Sequence, residues 1–338
     1  MQPPLIVRHL ALAALTWVAS CAGATLPPAV APVVERWAFT APWDPRSTAS
    51  VRAHAAELDA VVFGWLPLDT LTGAPFELYP DTIASVAPPT VRRMAIVTSF
   101  VGDRFHPTTI RGLALDSVAL RRSARAIADA ALRGGYRGLV LDFEGMTRPD
   151  SDATRLVVGE MSRVAHAAGV GPVIVAVPAT DTASYPARYF LDVADLLLVM
   201  LYDQHWATSP PGPIAAPDWV RQSLGVRIAE HGASQLVAAL PLYGYRWRPN
   251  AFAETISFDD AVRFAAEAGT SLVRDPATAT LHAARTGADG WELWVSDSEL
   301  LAILEYEVRT LGVSRIAYWR LGLEDRAMWP RSPLPLRP

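Results

Sequence analysis

The run RGLVLDFEGM, residues 137–146, sets a glycine-led apolar segment directly before two carboxylates two places apart, Asp142 and Glu144. Side chains along a strand alternate sides. Leu139, Leu141 and Phe143 therefore face one layer, and Gly138, Val140, Asp142 and Glu144 the other. A run that is apolar on both faces suits a parallel strand buried between a barrel interior and covering helices. The acids stand only at its C-terminal end, where parallel α/β barrels place their chemistry. Unpartnered buried charge is expensive, so two acids aimed into a barrel mouth require an explanation. On spacing alone, a strand end whose acids reach solvent or an arginine is an equally open reading.

Outward from this stretch, short apolar runs alternate with amphipathic ones. Strands are expected at Arg36–Thr40, Ala60–Leu66, Arg93–Phe100, Arg137–Phe143, Val173–Val177, Asp195–Tyr202, Gln235–Leu240 and Arg315–Trp319. Helical patterns fall at Ser50–Leu58, Ser117–Leu132, Asp152–Ala168, Asp218–His231 and Ser298–Leu311. Such alternation reads as a parallel α/β fold. Eight strands in this span fit a (β/α)8 TIM barrel, expected over residues 35–330, better than an open doubly wound sheet. No glycine-rich phosphate-binding turn follows a strand, which removes the usual nucleotide site. The alternation breaks at 249–297, where a helical run (Phe258–Ala268) precedes three strand-like pieces, Ser271–Arg274, Ala279–Ala284 and Trp291–Val295. This is expected to be a small α+β insertion between the seventh and eighth strands, on the face where such insertions line clefts.

The chain has 338 residues, 51% hydrophobic and 19% charged, which suffices for one large domain with a proper core. A net charge of −4 carries no electrostatic footprint for nucleic acid. At the N-terminus Arg8 and His9 precede an apolar run, Leu10–Val18, too short to span a bilayer. It ends in Val18-Ala19-Ser20-Cys21, which resembles a bacterial lipoprotein signal with cleavage before a cysteine that then receives lipid. Cys21 is the chain's lone cysteine, so an intrachain disulfide is excluded and lipid attachment fits. The alternative is an ordinary signal peptide with an incidental cysteine. Residues 1–20 are thus expected to be a leader, 21–34 an Ala/Pro-rich tether and 331–338 a loose tail. The expectation is an exported, monomeric envelope lipoprotein, anchored to a bacterial membrane. Ala22 in place of an aspartate after the cysteine leans that towards the outer one.

A second chemical cluster is LVMLYDQHWATSPPGPIAAPDW, residues 198–219. Met200 and Tyr202 share one face of the sixth strand, and Asp203, Gln204, His205 and Trp206 follow its end. Met200 reads more readily as core. The Tyr202 phenol at a strand's C-terminal end offers a hydrogen bond in the cleft. No His-x-x-x-His or second ligand cluster accompanies Asp203 and His205, so neither metal nor cofactor is expected. Eleven tryptophans is a high count, and Trp43, Trp65, Trp206, Trp219, Trp247 and Trp319 fall at strand ends or in loops. Flat aromatic faces suit the C–H faces of pyranose rings, although at least half of them are expected simply to pack the barrel. Two acids side by side on one strand, roughly 6–7 Å apart, differ from the opposed carboxylates of two-acid glycosidases. One of them is expected to have a raised pKa and to act as a general acid.

These residues together resemble glycoside hydrolase family 18, in its bacterial branch of spore-germination-type hydrolases and hydrolase domains fused to polysaccharide deacetylases. That family's fourth strand carries Asp-Gly-x-Asp-x-Asp-x-Glu, and here the frame reads Arg137-Gly138-Leu139-Val140-Leu141-Asp142-Phe143-Glu144. Its Met-x-Tyr-Asp appears as Met200-Leu201-Tyr202-Asp203, followed by the QHW…PGP loop. LPLYGYRW (240–247) resembles the seventh strand and AYWRLGLEDRAMW (317–329) the eighth and its exit. The resemblance implies retaining, substrate-assisted hydrolysis of a β-linked N-acetylglucosamine polymer such as peptidoglycan, a chitin-like chain or an exopolysaccharide, a recognised exception to the two-carboxylate scheme. It implies Glu144 as general acid and then base, and Asp142 as the group that orients the substrate's 2-acetamido nucleophile. Tyr202 would bond that group's carbonyl, and Asp203, Gln204, Trp206, Met200 and Trp319 would contact sugar, with Trp319 flooring the subsite. Two departures stand out: Arg137 and Val140 replace the motif's first two aspartates. The Val140 position ordinarily supplies a relay inside the barrel, while the retained Glu144 points to an enzyme rather than a lectin.

Overall fold

The computed structural model describes residues 34–78 and 86–329. The leader, Cys21, all of the tether but its last residue, and the tail lie outside the described residues. Eight strands close a parallel barrel: β1 (Glu35–Phe39), β2 (Ala60–Pro67), β3 (Arg92–Thr98), β4 (Leu139–Asp142), β5 (Val173–Pro178), β6 (Leu196–Met200), β7 (Leu236–Pro241) and β8 (Arg315–Trp319). Each pairs with its sequence neighbours, and β1 closes the ring on β8 through Glu35 opposite Arg315 to Ala38 opposite Tyr318. The helices are α1 (Pro45–His54), α2 (Pro107–Leu115), α3 (Ser117–Arg133), α4 (Ser151–Ala167), α5 (Ala187–Leu191), α6 (Pro217–His231), α7 (Phe258–Glu267) and α8 (Ser298–Thr310). The sequence pattern missed α2 and α5. The first is short and holds two threonines and a glycine, weak helix formers, and the second is little more than one turn.

Two apolar layers organise the barrel. The outward face of β4 (Leu139, Leu141) and Phe143 join the core beneath the helices, where α3 buries Leu120, Ala124 and Ile127 and α4 buries Val157, Val158 and Met161. Fully burying such a side chain is worth about 1.5–3 kcal/mol. Asp116 caps α3 by accepting from the Val118 and Ala119 amides. The inward face is filled by Trp37, Met94, Val140, Ile174, Leu198, Val237 and Ala317, a packed interior rather than a pore. The parity read from residues 137–144 is the parity observed.

One irregularity matters to the site. The β2–β3 register shifts between Val62 and Gly64. Strict alternation would send Trp65 outward with Phe63; the bulge turns it into the interior layer with Val62. Gly64 permits this, because a Cβ there would lie 2.5 Å from the Tyr136 ring.

Between β7 and β8 lies an antiparallel sheet of five strands, in the order Glu254–Ile256, Gly244–Trp247, Trp291–Val295, Leu281–Arg285 and Val273–Arg274. The inserted sheet thus begins at Gly244, inside the segment that resembles the seventh strand. Ile256, Leu293 and Val295 pack one of its faces against Ala261 and Ala265 of α7. Gly244 is required by close packing, since a Cβ there would fall 2.2 Å from the Trp294 carbonyl oxygen.

Candidate active site

The C-terminal ends of the strands surround a cleft of about 690 Å³. Asp142 ends β4 and is buried, and its Oδ2 accepts a hydrogen bond of 3.0 Å from Thr98 Oγ1 at the end of β3. Burial raises the Asp142 carboxyl to about 6, and the Thr98 hydrogen bond works the other way. Glu144 is held well above the usual carboxylate range, first by burial and then by the charges of Asp142 and Asp203. Its carboxyl has no hydrogen bond or ion pair to another described residue. It faces the cleft, and no described residue shares its proton.

The backbone around Glu144 is pinned. The buried Tyr185 hydroxyl donates to the Phe143 carbonyl at 2.8 Å and accepts from the Met146 amide at 3.2 Å, so one phenol brackets the acid from both sides. Gly145 takes φ +74°, and a Cβ there would lie 3.1 Å from Pro107 Cγ at the start of α2. Sequence reasoning missed Tyr185; its partners lie 39 and 42 residues away.

Beyond β6, the Tyr202 ring lies nearly parallel to Trp319, with centroids 6.3 Å apart. Burial first, then the nearby acids, holds its phenol far above its ordinary value, so it remains an O–H donor. Asp203 adopts a left-handed backbone, φ +58°, and its Oδ1 accepts from the Tyr243 hydroxyl and, at 3.2 Å, from that of Tyr245. Burial raises Asp203 and these two donors oppose the rise. Trp319 also meets Phe39 edge-on at 5.3 Å and Trp65 at 6.3 Å. Trp43 packs edge-on against Trp65 at 4.8 Å, and Phe76, Phe100 and Phe105 continue this aromatic wall.

Asp142, Glu144, Met200, Tyr202, Asp203 and Trp319 therefore come together in one cleft. Gln204 and Trp206 do not line it. The Gln204 side-chain Oε1 accepts from the Ala216 amide and the Gln204 backbone N–H donates to the Ile214 carbonyl, which braces the loop after β6. Trp206 is half exposed and its indole N–H donates to Thr208. The insertion lines none of this cleft; Trp247 lies in a separate cavity and Trp219 packs against the outer core. Among the described residues no group of His, Cys, Asp and Glu is placed to hold a metal, and no helix is long and apolar enough to cross a membrane.

No family model matches the chain. Its fold is that of known chitinases. It is similar to the chitinase of Chromobacterium violaceum ATCC 12472, with a TM-score of 0.78 at 22% identity over 88% of this chain and 97% of that one. It is also similar to the GH18 chitinase of Cycas revoluta solved with (GlcNAc)3, with a TM-score of 0.72 at 17% identity over 87% and 97%. In sequence it is 24% identical over 250 residues to the cortical fragment-lytic enzyme of Bacillus subtilis (strain 168), covering 70% of this chain and 58% of that protein. The chain thus spans little more than half the length of that curated relative. The family 18 likeness read from the motifs extends to the whole barrel.

Proposed function

We propose that this chain is a glycoside hydrolase cleaving a β-linked, N-acetylglucosamine-containing polysaccharide by a retaining, substrate-assisted route. The observation that carries the reading is Glu144: a carboxyl kept protonated by burial and two neighbouring acids, unpartnered, at the centre of an aromatic-walled cleft. Such an acid can protonate the glycosidic oxygen at neutral pH. As that bond breaks, the acetamido oxygen of the sugar on Trp319 closes on its anomeric carbon, and the leaving sugar departs with Glu144's proton. Asp142, ionised, accepts the acetamido N–H and balances the positive charge that develops. Tyr202 donates to the acetamido oxygen until it attacks. Water then attacks the anomeric carbon and displaces the acetamido oxygen while Glu144 takes a proton from that water, restoring the starting configuration. Tyr243 and Tyr245 keep Asp203 in place beside the sugar.

A second reading, a carbohydrate-binding protein with little turnover, is favoured by one observation. Val140 stands where the family places a relay acid and belongs to the buried apolar interior layer. Thr98 is then the hydrogen-bond partner of Asp142. Product release by mass spectrometry from β-1,4 and β-1,6 N-acetylglucosamine oligomers and peptidoglycan strands separates the two. Cleavage by the wild type that falls at least about 10²-fold in Glu144→Gln supports the hydrolase; binding without cleavage by either supports the second reading. We further propose that Cys21 carries lipid and anchors the protein to a bacterial membrane, leaning to the outer one. Cys21→Ser should move the protein to the soluble fraction, and unchanged membrane retention would overturn this.

A further inference from the structure

The aromatic contacts do not stop at the cleft. From Trp319 they run through Tyr202 to Tyr243, with centroids 6.2 Å apart, then to Tyr245 at 5.4 Å and Trp247 at 5.5 Å. Tyr245 and Trp247 are two places apart on one inserted strand and share its face. That face packs on Tyr202 and Trp319, so the line of rings joins the reacting centre to the outer end of the insertion. There Trp247 and Trp291 help line a second cavity of about 940 Å³, with Arg248, Asn250, Phe252 and Arg285.

The two cavities differ in charge. The cleft is lined by three acids, Asp142, Glu144 and Asp203, and by no Lys, Arg or His among the described residues. The outer cavity has two exposed guanidiniums. Arg285 has no ion-pair partner among the described residues, and Arg248 shares the Glu254 carboxylate with Arg246, which lies closer, at 2.5 Å against 3.4 Å. Phe252, 79% exposed, stands beside them. Glu292, the acid that also lines this cavity, already accepts from the Trp294 indole N–H. An apolar ring edge beside two incompletely neutralised guanidiniums suits a sugar that carries a carboxylate. The ionised Asp142 in the cleft, with no cation among the described residues lining it, repels that same substituent.

We propose that the cavity around Trp247, Arg248 and Arg285 is a second carbohydrate subsite that selects polysaccharide chains bearing carboxylate substituents. It rests on the glycan-cleft reading above and deepens it: the cleft takes the neutral amino sugar, and the insertion reads the acid on a sugar further along the chain.

The test is titration calorimetry in the Glu144→Gln background, which separates binding from cleavage. The probes are peptide-free β-1,4 amino-sugar strands carrying lactyl carboxylates and the same strands with those carboxylates reduced to alcohols. The acidic strands should bind several-fold more tightly, and added salt should weaken that preference. Arg248→Glu/Arg285→Glu changes two exposed side chains and should cut affinity for the acidic strands about tenfold, as expected for two solvent-exposed ion pairs. Equal affinity for both strands, or a preference that survives the charge reversal, overturns the proposal. Preference retained in a protein whose wild type cleaves neither strand would overturn the hydrolase and leave this subsite standing.

Discussion

Replacing Asp142 with Asn should make the protein more stable at pH 8 and leave it nearly unchanged at pH 4. Burial raises this carboxyl from its ordinary 3.8 to about 6. Below pH 3.8 the group is protonated whether the chain is folded or not, and the shift has no effect on stability. Between 3.8 and about 6 the unfolded chain releases the proton while the native one keeps it, so stability falls as pH rises. Above 6 the loss is complete. At about 1.4 kcal/mol per pH unit it amounts to about 3 kcal/mol. Asn keeps the shape and still accepts from Thr98 Oγ1, but has no charge to bury. It also removes the repulsion that lifts Glu144, which acts in the same direction. At about 2 °C per kcal/mol for a chain of this length, the variant should melt up to about 6 °C higher at pH 8. Paired thermal melts followed by circular dichroism at pH 4 and pH 8 decide the matter. A gap between variant and wild type that is the same at both pH values, or a variant that melts lower at pH 8, would refute the desolvation argument. The variant should also lose hydrolysis, because the stability gained is that of a group kept charged for its task.

Two further outcomes follow from single contacts. Thr98→Val deletes a hydrogen bond to a buried carboxylate, worth about 1.5–3 kcal/mol. It should therefore move the acid limb of the kcat/KM profile up by about one to two pH units from near 6, while Thr98→Ser keeps the limb in place; an unmoved limb in the valine variant sinks the assignment. Gly244→Ala drives a methyl into the Trp294 carbonyl and should cost about 1–3 kcal/mol. Hydrogen exchange should speed up in Gly244–Trp247 and Trp291–Val295 while the barrel strands stay protected, and unchanged protection in the inserted sheet would contradict the clash.

The barrel and the paired acids at its mouth were legible because their signals are local. Parity along residues 137–144 separates core from cleft, and strand-helix alternation implies closure. What stayed hidden depends on contacts between distant segments. Thr98 is 44 residues from Asp142, and Tyr185 is 42 from the carbonyl it holds. Neither residue type advertises such a role. Trp65 reaches the cleft only because a bulge inverts the alternation that a pattern reading assumes. Gln204 and Trp206 follow Asp203 directly in sequence, yet its left-handed backbone swings the chain off the strand's course. Their polar groups then close a loop instead of facing the cleft. Gly244 likewise reads as the tail of a barrel strand until its antiparallel partners on both sides are known.

The packed interior beneath the acids has a consequence for timing. Beneath Asp142 and Glu144 the barrel interior is filled by the apolar side chains of Met94, Ile96, Val140, Ile174 and Leu198. Protons therefore reach these carboxyls through the same cleft that would take the proposed polysaccharide. In the proposed reaction a sugar ring on Trp319 would stand in that opening until the leaving sugar departs and water enters. Bond cleavage would then draw on the protons the pair held at capture, and the proton that restores Glu144 would come from the incoming water. Ambient pH would then act as a gatekeeper at encounter, sorting competent from incompetent protein before any bond is strained.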